Sequence, residues 1–302
     1  MSGNSKWEGK TKGSVIGHKF FVFILEFFGL QIAYFVLRFV AFYFLITAKS
    51  TKTSLRFFKD IMGYSKWKAY RACYQNYYIF GQTLLDKTAI LAGMRNKFTI
   101  EHEGQKENLK YLKDLGKGGI LLSAHIGNWE IAGQMLEILD TKFNVLMYDN
   151  DITKMREYMD DVMKKKNFNI IGIKDNDMGH LVELHKAFSN NEWVVMHGDR
   201  FRPGAPTIEK TFMGKKAKFP VGPFIMAAKF GVPITVVFAV KETNSHYHFF
   251  AKKPIEPKRA RGEKEVEKIV AEISDNYVKE VEEMLKRYPT QWFNFYDFWA
   301  EE

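Results

Sequence analysis

The hydrophobic positions of this chain change texture once, near Gly93. Beyond it, short apolar runs alternate with stretches of helical spacing. Ile120–Ala124, Phe143–Tyr148, Phe168–Ile173, Trp193–His197 and Pro233–Val240 are runs of strand length, bounded by Gly, Asn, Asp or Lys, as buried strands are. His246–Ala251 is expected to be a further strand. Between these runs, Glu130–Leu139, Thr153–Lys166, Gly179–Ser189 and Gly222–Phe230 carry helical patterns. Glu263–Arg287 is a long surface helix with Val266, Ile269, Val270, Ile273, Tyr277, Val281 and Leu285 on one stripe. This alternation predicts an α/β fold, with a mostly parallel or mixed central sheet flanked by helices. The basic, proline-containing stretch 252–261 reads as a surface loop.

Before Gly93 the pattern is different. From Phe20 to Phe44, eleven of 25 residues are aromatic and only Glu26 and Arg38 are charged. The longest uncharged runs, Phe27–Leu37 and Phe39–Ala48, fall short of the ~20 residues of a spanning helix. We read an interfacial or shallowly inserted anchoring helix. A spanning helix with Arg38 snorkelling and a buried core helix are the alternatives. A secretory leader fits less well, because a polar stretch precedes the apolar run and no small-residue cleavage pattern follows. The expected division is an aromatic and basic anchoring segment, 1–50, followed by one catalytic domain, 51–302.

Charge sharpens this picture. The first 100 residues hold 15 Lys/Arg against 4 Asp/Glu, whereas the other 202 hold 30 against 31. The net charge of +10 therefore belongs to the amino-terminal third. Lys49, Lys52, Arg56, Lys59, Lys66, Lys68 and Arg71 interleave with Tyr64, Trp67 and Tyr70, a mixture suited to an anionic membrane surface. Basic patches with aromatics also bind single-stranded nucleic acid, but the density of Phe and Leu favours lipid, and no nucleic-acid partner is expected. The single cysteine, Cys73, excludes an internal disulfide and a cysteine-rich metal site.

The candidate chemistry lies in Ser123–Gly133, SAHIGNWEIAG. A strand ends, His125 follows, and a Gly127–Asn128 turn leads into a helix near Trp129. Active sites of open α/β sheets lie beyond the carboxyl ends of strands. Glu130, five residues after His125 across the turn, could fix the imidazole tautomer and stabilise the imidazolium. A structural histidine is the plainer reading of His-x4-Glu taken alone. The sequence contains no HExxH zinc helix, P-loop, GxSxG elbow or GxGxxG fingerprint, so neither a metal nor a resident cofactor is expected. His246 and His248 read as structural or rim residues. The aromatic run 292–299 reads as a tail docking on the core, with a wall of an acyl channel as its sharper alternative.

HIGNWE resembles the His-x4-Asp/Glu signature of the lysophospholipid acyltransferase superfamily. Its ending is closer to the branch holding the bacterial lipid A late acyltransferases and the mycobacterial phosphatidylinositol mannoside acyltransferase. The resemblance extends through HGDR at 197–200, FMGKKAKFPVGPFIMAAKFGVPI at 212–234 and QWFNFYDFW at 291–299. It implies transfer of a fatty acyl chain from acyl carrier protein, or coenzyme A, to a lipid acceptor at the cytoplasmic face of the bacterial inner membrane. His125 would be the general base and Glu130 its orienting acid. The amides of Gly127 and Asn128 would meet the oxyanion, and Arg200, oriented by Asp199, would bind a polar head. The closing motif departs from the lipid A enzymes at Asn294–Asp297 and resembles a side branch tied to aryl-polyene and aminolipid clusters, which leaves those acceptors as alternatives. A non-catalytic peripheral membrane adaptor is the rival from another class.

Overall fold

The computed structural model describes residues 15–103, 105–128, 131, 141–148, 168–173 and 179–299. The helices expected at 130–139 and 153–166 lie outside them, as do Trp129 and Glu130.

Seven strands form the main sheet: β1 (Thr99–Glu103), β2 (Gly119–Ser123), β3 (Phe143–Tyr148), β4 (Phe168–Ile173), β5 (Trp193–His197), β8 (Ile234–Lys241) and β9 (His246–Ala251). Their order is β1-β9-β8-β2-β5-β3-β4. The five strands from β8 to β4 are mutually parallel, while β9 runs against β8 and carries β1 parallel to itself. The sheet is mixed, as expected, with its reversed pair at one edge. β1 was not foreseen, because TIEHE places charges where a buried strand would have apolar residues.

A separate hairpin, β6 (Thr207–Phe212) with β7 (Lys215–Pro220), pairs antiparallel. Lys215, Lys216 and Lys218 therefore lie on a strand. Lys216 pairs with Glu209 at 2.8 Å and is 80% exposed, while Ala217 and Phe219 are buried on the other face.

Alternation along the central strands sends side chains to two cores. Ile120, Leu122, Val194, Met196, Val236 and Phe238 face one way. There they meet α5 (Gly179–Ser189), α6 (Gly222–Phe230) and α7 (Glu263–Arg287) through Leu184, Phe224 and Tyr277. Leu121, Trp193, Val237 and Ala239 face the other way, against Leu25, Tyr34, Leu37, Leu85 and Ala89. Those five belong to α1 (Val15–Thr47) and α3 (Lys66–Leu91). The short helices α2 (Ser50–Arg56) and α4 (Lys110–Leu115) complete the connections.

The aromatic helix α1 is thus half-committed to the fold. It breaks direction at Gly29, whose φ of 79° lies outside helical geometry. Its inner face packs on α3 and the sheet, while Phe27, Phe28, Phe35, Phe39, Phe42 and Tyr43 are each more than half exposed. Residues Lys19–Thr47 are long and apolar enough to cross a membrane by length and composition.

At the inner face of α1 lies a buried polar knot. Tyr34 and Tyr247 both donate to the Asp86 carboxylate, and Lys241 Nζ meets it at 2.5 Å. Both side chains of the Asp86–Lys241 pair are almost wholly shielded from solvent. Burial raises the carboxyl of Asp86 and lowers the ammonium of Lys241, because each charge has left water. Asn128, in the turn after β2, joins this knot through Tyr247 Oη at 3.4 Å and also donates to Thr83 O at 3.2 Å.

Candidate active site

Register builds the site. β2 and β5 are parallel neighbours, and Ser123 stands opposite His197. Two residues beyond each partner come His125 and Asp199, so continuing the pairing past the strand ends sets these two side by side. Asp199 Oδ1 lies 2.7 Å from His125 Nδ1, and Asp199 Oδ2 accepts the His125 backbone N–H at 2.9 Å.

The electrostatics fix the proton. Burial alone would raise the Asp199 carboxyl, but the charge and hydrogen bond of His125, with Arg200 and His197 beyond, hold it well below the usual carboxylate range. An ionised carboxylate accepts only, so Nδ1 carries a hydrogen, and whenever the ring is neutral the lone pair is on Nε2. His125 keeps a quarter of its side chain exposed, whereas Asp199 is almost fully buried.

His197 stacks on His125 with ring centroids 4.2 Å apart. Burial, then the charges of His125 and Arg200, push its proton affinity well below that of an ordinary histidine. It stands as a neutral ring against that of His125.

Two phenols complete the frame. Tyr277, from α7, donates to Ser123 O at 3.0 Å, and Tyr296 donates to Asp199 O at 3.0 Å. Burial and the Asp199 charge raise both, so both stay protonated donors.

The closing segment is laid over this edge. Trp292 forms an antiparallel bridge with Ile126. Phe293 N donates to His125 O at 2.8 Å, and the Trp292 indole N–H donates to Asp199 Oδ2 at 3.1 Å. The tail docks on the core, as read from the sequence, and it docks on the site itself. Its rings interleave with the helices before the sheet: Phe57 with Trp292, Tyr77 with Phe295 and Phe80 with Phe293, at centroid distances of 5.0–5.5 Å.

Two roles expected from the resemblance change here. The amides of Gly127 and Asn128 are consumed within the protein, donating to Gln291 O at 2.9 Å and Ala239 O at 2.6 Å. Neither is presented to an oxyanion. Gly127 is needed for its conformation: φ is 72°, and a Cβ there would sit 2.0 Å from Ala239 O. Asn128 is buried, and its Oδ1 accepts the N–H of Ile131 at 3.4 Å, capping the turn. Asp199, expected to orient Arg200, turns its carboxylate to His125 and Trp292, while Arg200 Nη2 donates to Phe293 O at 2.6 Å.

Sequence reasoning placed Trp292 and Tyr296 in the docking tail and Tyr277 on the stripe of the long helix, and set none of them beside His125 and Asp199. The available signal was that SAH and HGD both close apolar runs. Their meeting depended on β2 and β5 being neighbours, with β3 and β4 intervening in sequence.

Elsewhere, Glu101, Glu242 and His248 bring donor atoms within 4.8 Å of one another. Glu242 already accepts from Tyr288 Oη at 2.6 Å and sits 3.3 Å from His248 Nδ1. We assign no metal to this cluster.

The mixed α/β sheet carries its histidine–carboxylate pair beyond the strand ends, where open α/β sheets carry their sites. The profile of the bacterial lipid A biosynthesis acyltransferases matches residues 15–300. The chain belongs to that family, and it is an acyltransferase of lipid metabolism with a lipid acceptor. Family membership and the apolar helix α1 together point to membrane association. Among solved structures, the 1-acyl-sn-glycerophosphate acyltransferase PlsC of Thermotoga maritima is similar, with 17% identity and a TM-score of 0.40. The match covers 83% of this chain and 97% of that one. No curated protein matches in sequence.

Proposed function

We propose that this enzyme moves a fatty acyl chain from an acyl thioester to a hydroxyl or amine of a membrane lipid, with His125 as general base. The donor is acyl carrier protein, with coenzyme A as the alternative. The acceptor is a lipid A precursor, or an aminolipid or aryl-polyene head in the second reading, at the cytoplasmic face of the inner membrane. The observation that carries the proposal is the 2.7 Å pairing of His125 Nδ1 with the buried, ionised Asp199.

Nε2 takes the proton of the acceptor as its oxygen or nitrogen attacks the thioester carbonyl. The new bond to carbon forms, the carbon–sulfur bond breaks, and the thiolate leaves with the proton returned by the imidazolium. Asp199 stabilises that imidazolium and holds its tautomer. In this reading Glu130 keeps the charge-stabilising role that the resemblance implies for it, and Arg200 is the fixed positive charge that meets the polar head of a substrate. Neither a covalent enzyme intermediate nor a cofactor enters the scheme.

The test is comparative mass spectrometry of total lipids, lipid A included, from cells expressing the protein or its His125→Ala variant. A lipid heavier by one acyl chain, present only with the histidine intact, is the expected result and names the acceptor. An equal amount of that lipid with both His125→Ala and Asp199→Asn sinks the general-base scheme. A function retained without any histidine-dependent lipid supports the adaptor.

A further inference from the structure

We propose that Trp292 is a positioning residue for the transfer, holding Asp199 in the orientation that His125 requires. The inference rests on the His125–Asp199 reading above and assigns a job to the closing segment.

Asp199 has two oxygens with different duties. Oδ1 faces His125 Nδ1, while Oδ2 is held by the His125 backbone amide and the Trp292 indole N–H. An aspartate carboxylate turns about two bonds, Cα–Cβ and Cβ–Cγ, so holding Oδ2 from more than one side narrows the directions open to Oδ1. The indole N–H is a donor with no accepting alternative, and Trp292 is buried at 4% exposure. Left without a partner, that N–H would cost free energy.

The surroundings make the choice of Trp informative. Trp292 packs against Phe57, Phe212 and Phe298, in a chain with 27 Phe. A phenylalanine would serve a packing role in such company. The N–H is what the indole adds, and it is aimed at the carboxylate.

The same short stretch clamps both sides of the pair. Gln291 O accepts from Gly127 and Phe293 N donates to His125 O. Arg200 donates to Phe293 O. Gln291 is itself anchored, its side chain bonding both Lys241 N, at 2.9 Å, and Lys241 O, at 2.6 Å. Trp292 is therefore fixed relative to β8 and to the turn after β2 before its ring reaches Asp199.

The experiment uses the full chain in dodecylmaltoside micelles with 15N-labelled histidine. The readout is the low-field proton of His125 Nδ1, assigned by its loss in His125→Gln. Trp292→Phe keeps an aromatic ring and deletes the donor. Phe298→Leu disturbs the same aromatic packing and leaves the donor in place. The expected result is a shifted or broadened resonance in Trp292→Phe, an unchanged one in Phe298→Leu, and about a tenfold fall in acylated lipid in cells with Trp292→Phe at equal protein level.

An unchanged resonance in Trp292→Phe overturns the proposal. So does an equal disturbance in Phe298→Leu, which would reduce Trp292 to packing. Should Trp292→Phe fail to fold, 3-benzothienylalanine at position 292 replaces the N–H by sulfur at nearly constant shape and is read by the same criteria. Activity surviving His125→Ala condemns the general-base scheme and leaves the resonance test of Trp292 unaffected, so the two failures are distinct.

Discussion

The imidazole of His125 and the carboxylate of Asp199 meet at 2.7 Å although 74 positions separate them. Each follows a strand, and the two strands are parallel neighbours with Ser123 opposite His197. The pair is a product of sheet order. Asp199→Asn keeps the size of the side chain and removes the charge that stabilises imidazolium. Acyl transfer in cells is expected to fall about 10²- to 10⁴-fold, with folded protein retained, as measured by lipid mass spectrometry alongside circular dichroism.

The two histidine neighbours give stability an acid limit. His197 has a lowered folded-state proton affinity, through burial first and the charges of His125 and Arg200 after it. The unfolded chain gains a proton below about pH 6.5, so this contribution is complete above that value and is lost as pH falls below it. Asp199, held low, contributes above about pH 4 and loses its contribution as pH falls towards its depressed folded value. Urea titrations across pH should show a slope between about pH 6.5 and 5 that His197→Gln removes. A flat profile for the unaltered protein in that window contradicts a buried neutral His197.

Gly127→Ala tests the turn. With φ at 72° and the carbonyl of Ala239 in the space a Cβ would fill, an alanine must move backbone. A loss of several kcal/mol is expected, together with loss of transfer, because His125 is two residues away. A thermal melt within a degree of the unaltered protein would show that the turn can relax at no cost.

Lys241→Met leaves the Asp86 carboxylate buried without its counter-ion. Removal of one partner of a buried pair costs about 3–5 kcal/mol. Asp86→Asn combined with Lys241→Met, having no charge to strand, should be more stable than Lys241→Met alone. Chemical denaturation of the three proteins measures this, and a double variant weaker than the single one refutes it.

The two faces of α1 should separate binding from folding. Phe35, Phe39 and Phe42 are exposed, whereas Leu37 is buried against α3 and the sheet. Changing those three phenylalanines to serine is expected to reduce flotation with phosphatidylglycerol vesicles while leaving the melting temperature near its starting value. Leu37→Asp should lower the melting temperature instead, since it buries an unpaired charge. Equal vesicle binding by the triple serine variant removes α1 from the membrane contact.

Particular residues show how much was readable in advance. Phe143–Tyr148, Phe168–Ile173, Trp193–His197 and Gly179–Ser189 were delimited correctly by local pattern, because buried strands and amphipathic helices impose their own periodicities. β1 and β7 were not, since Glu101, Lys215 and Lys216 are tolerated on exposed strand faces, where pairing rather than burial decides. His125 was singled out from its place after an apolar run. The partner expected for it, Glu130, lies outside the described residues, and the partner seen, Asp199, had been assigned to Arg200.

Sequence alone determined the elements and their chemistry: alternating strands and helices, a cationic aromatic amino-terminal third, a histidine after a strand and an aromatic ending. These follow from periodicity and composition, which are local quantities. Tertiary structure decided what each of them touches. Sheet order brought β5 beside β2 across two intervening strands, spent the amides of Gly127 and Asn128 on backbone carbonyls, and carried Trp292 onto Asp199. Adjacency between distant segments comes from the whole chain burying its apolar surface at once, and no local window contains that information.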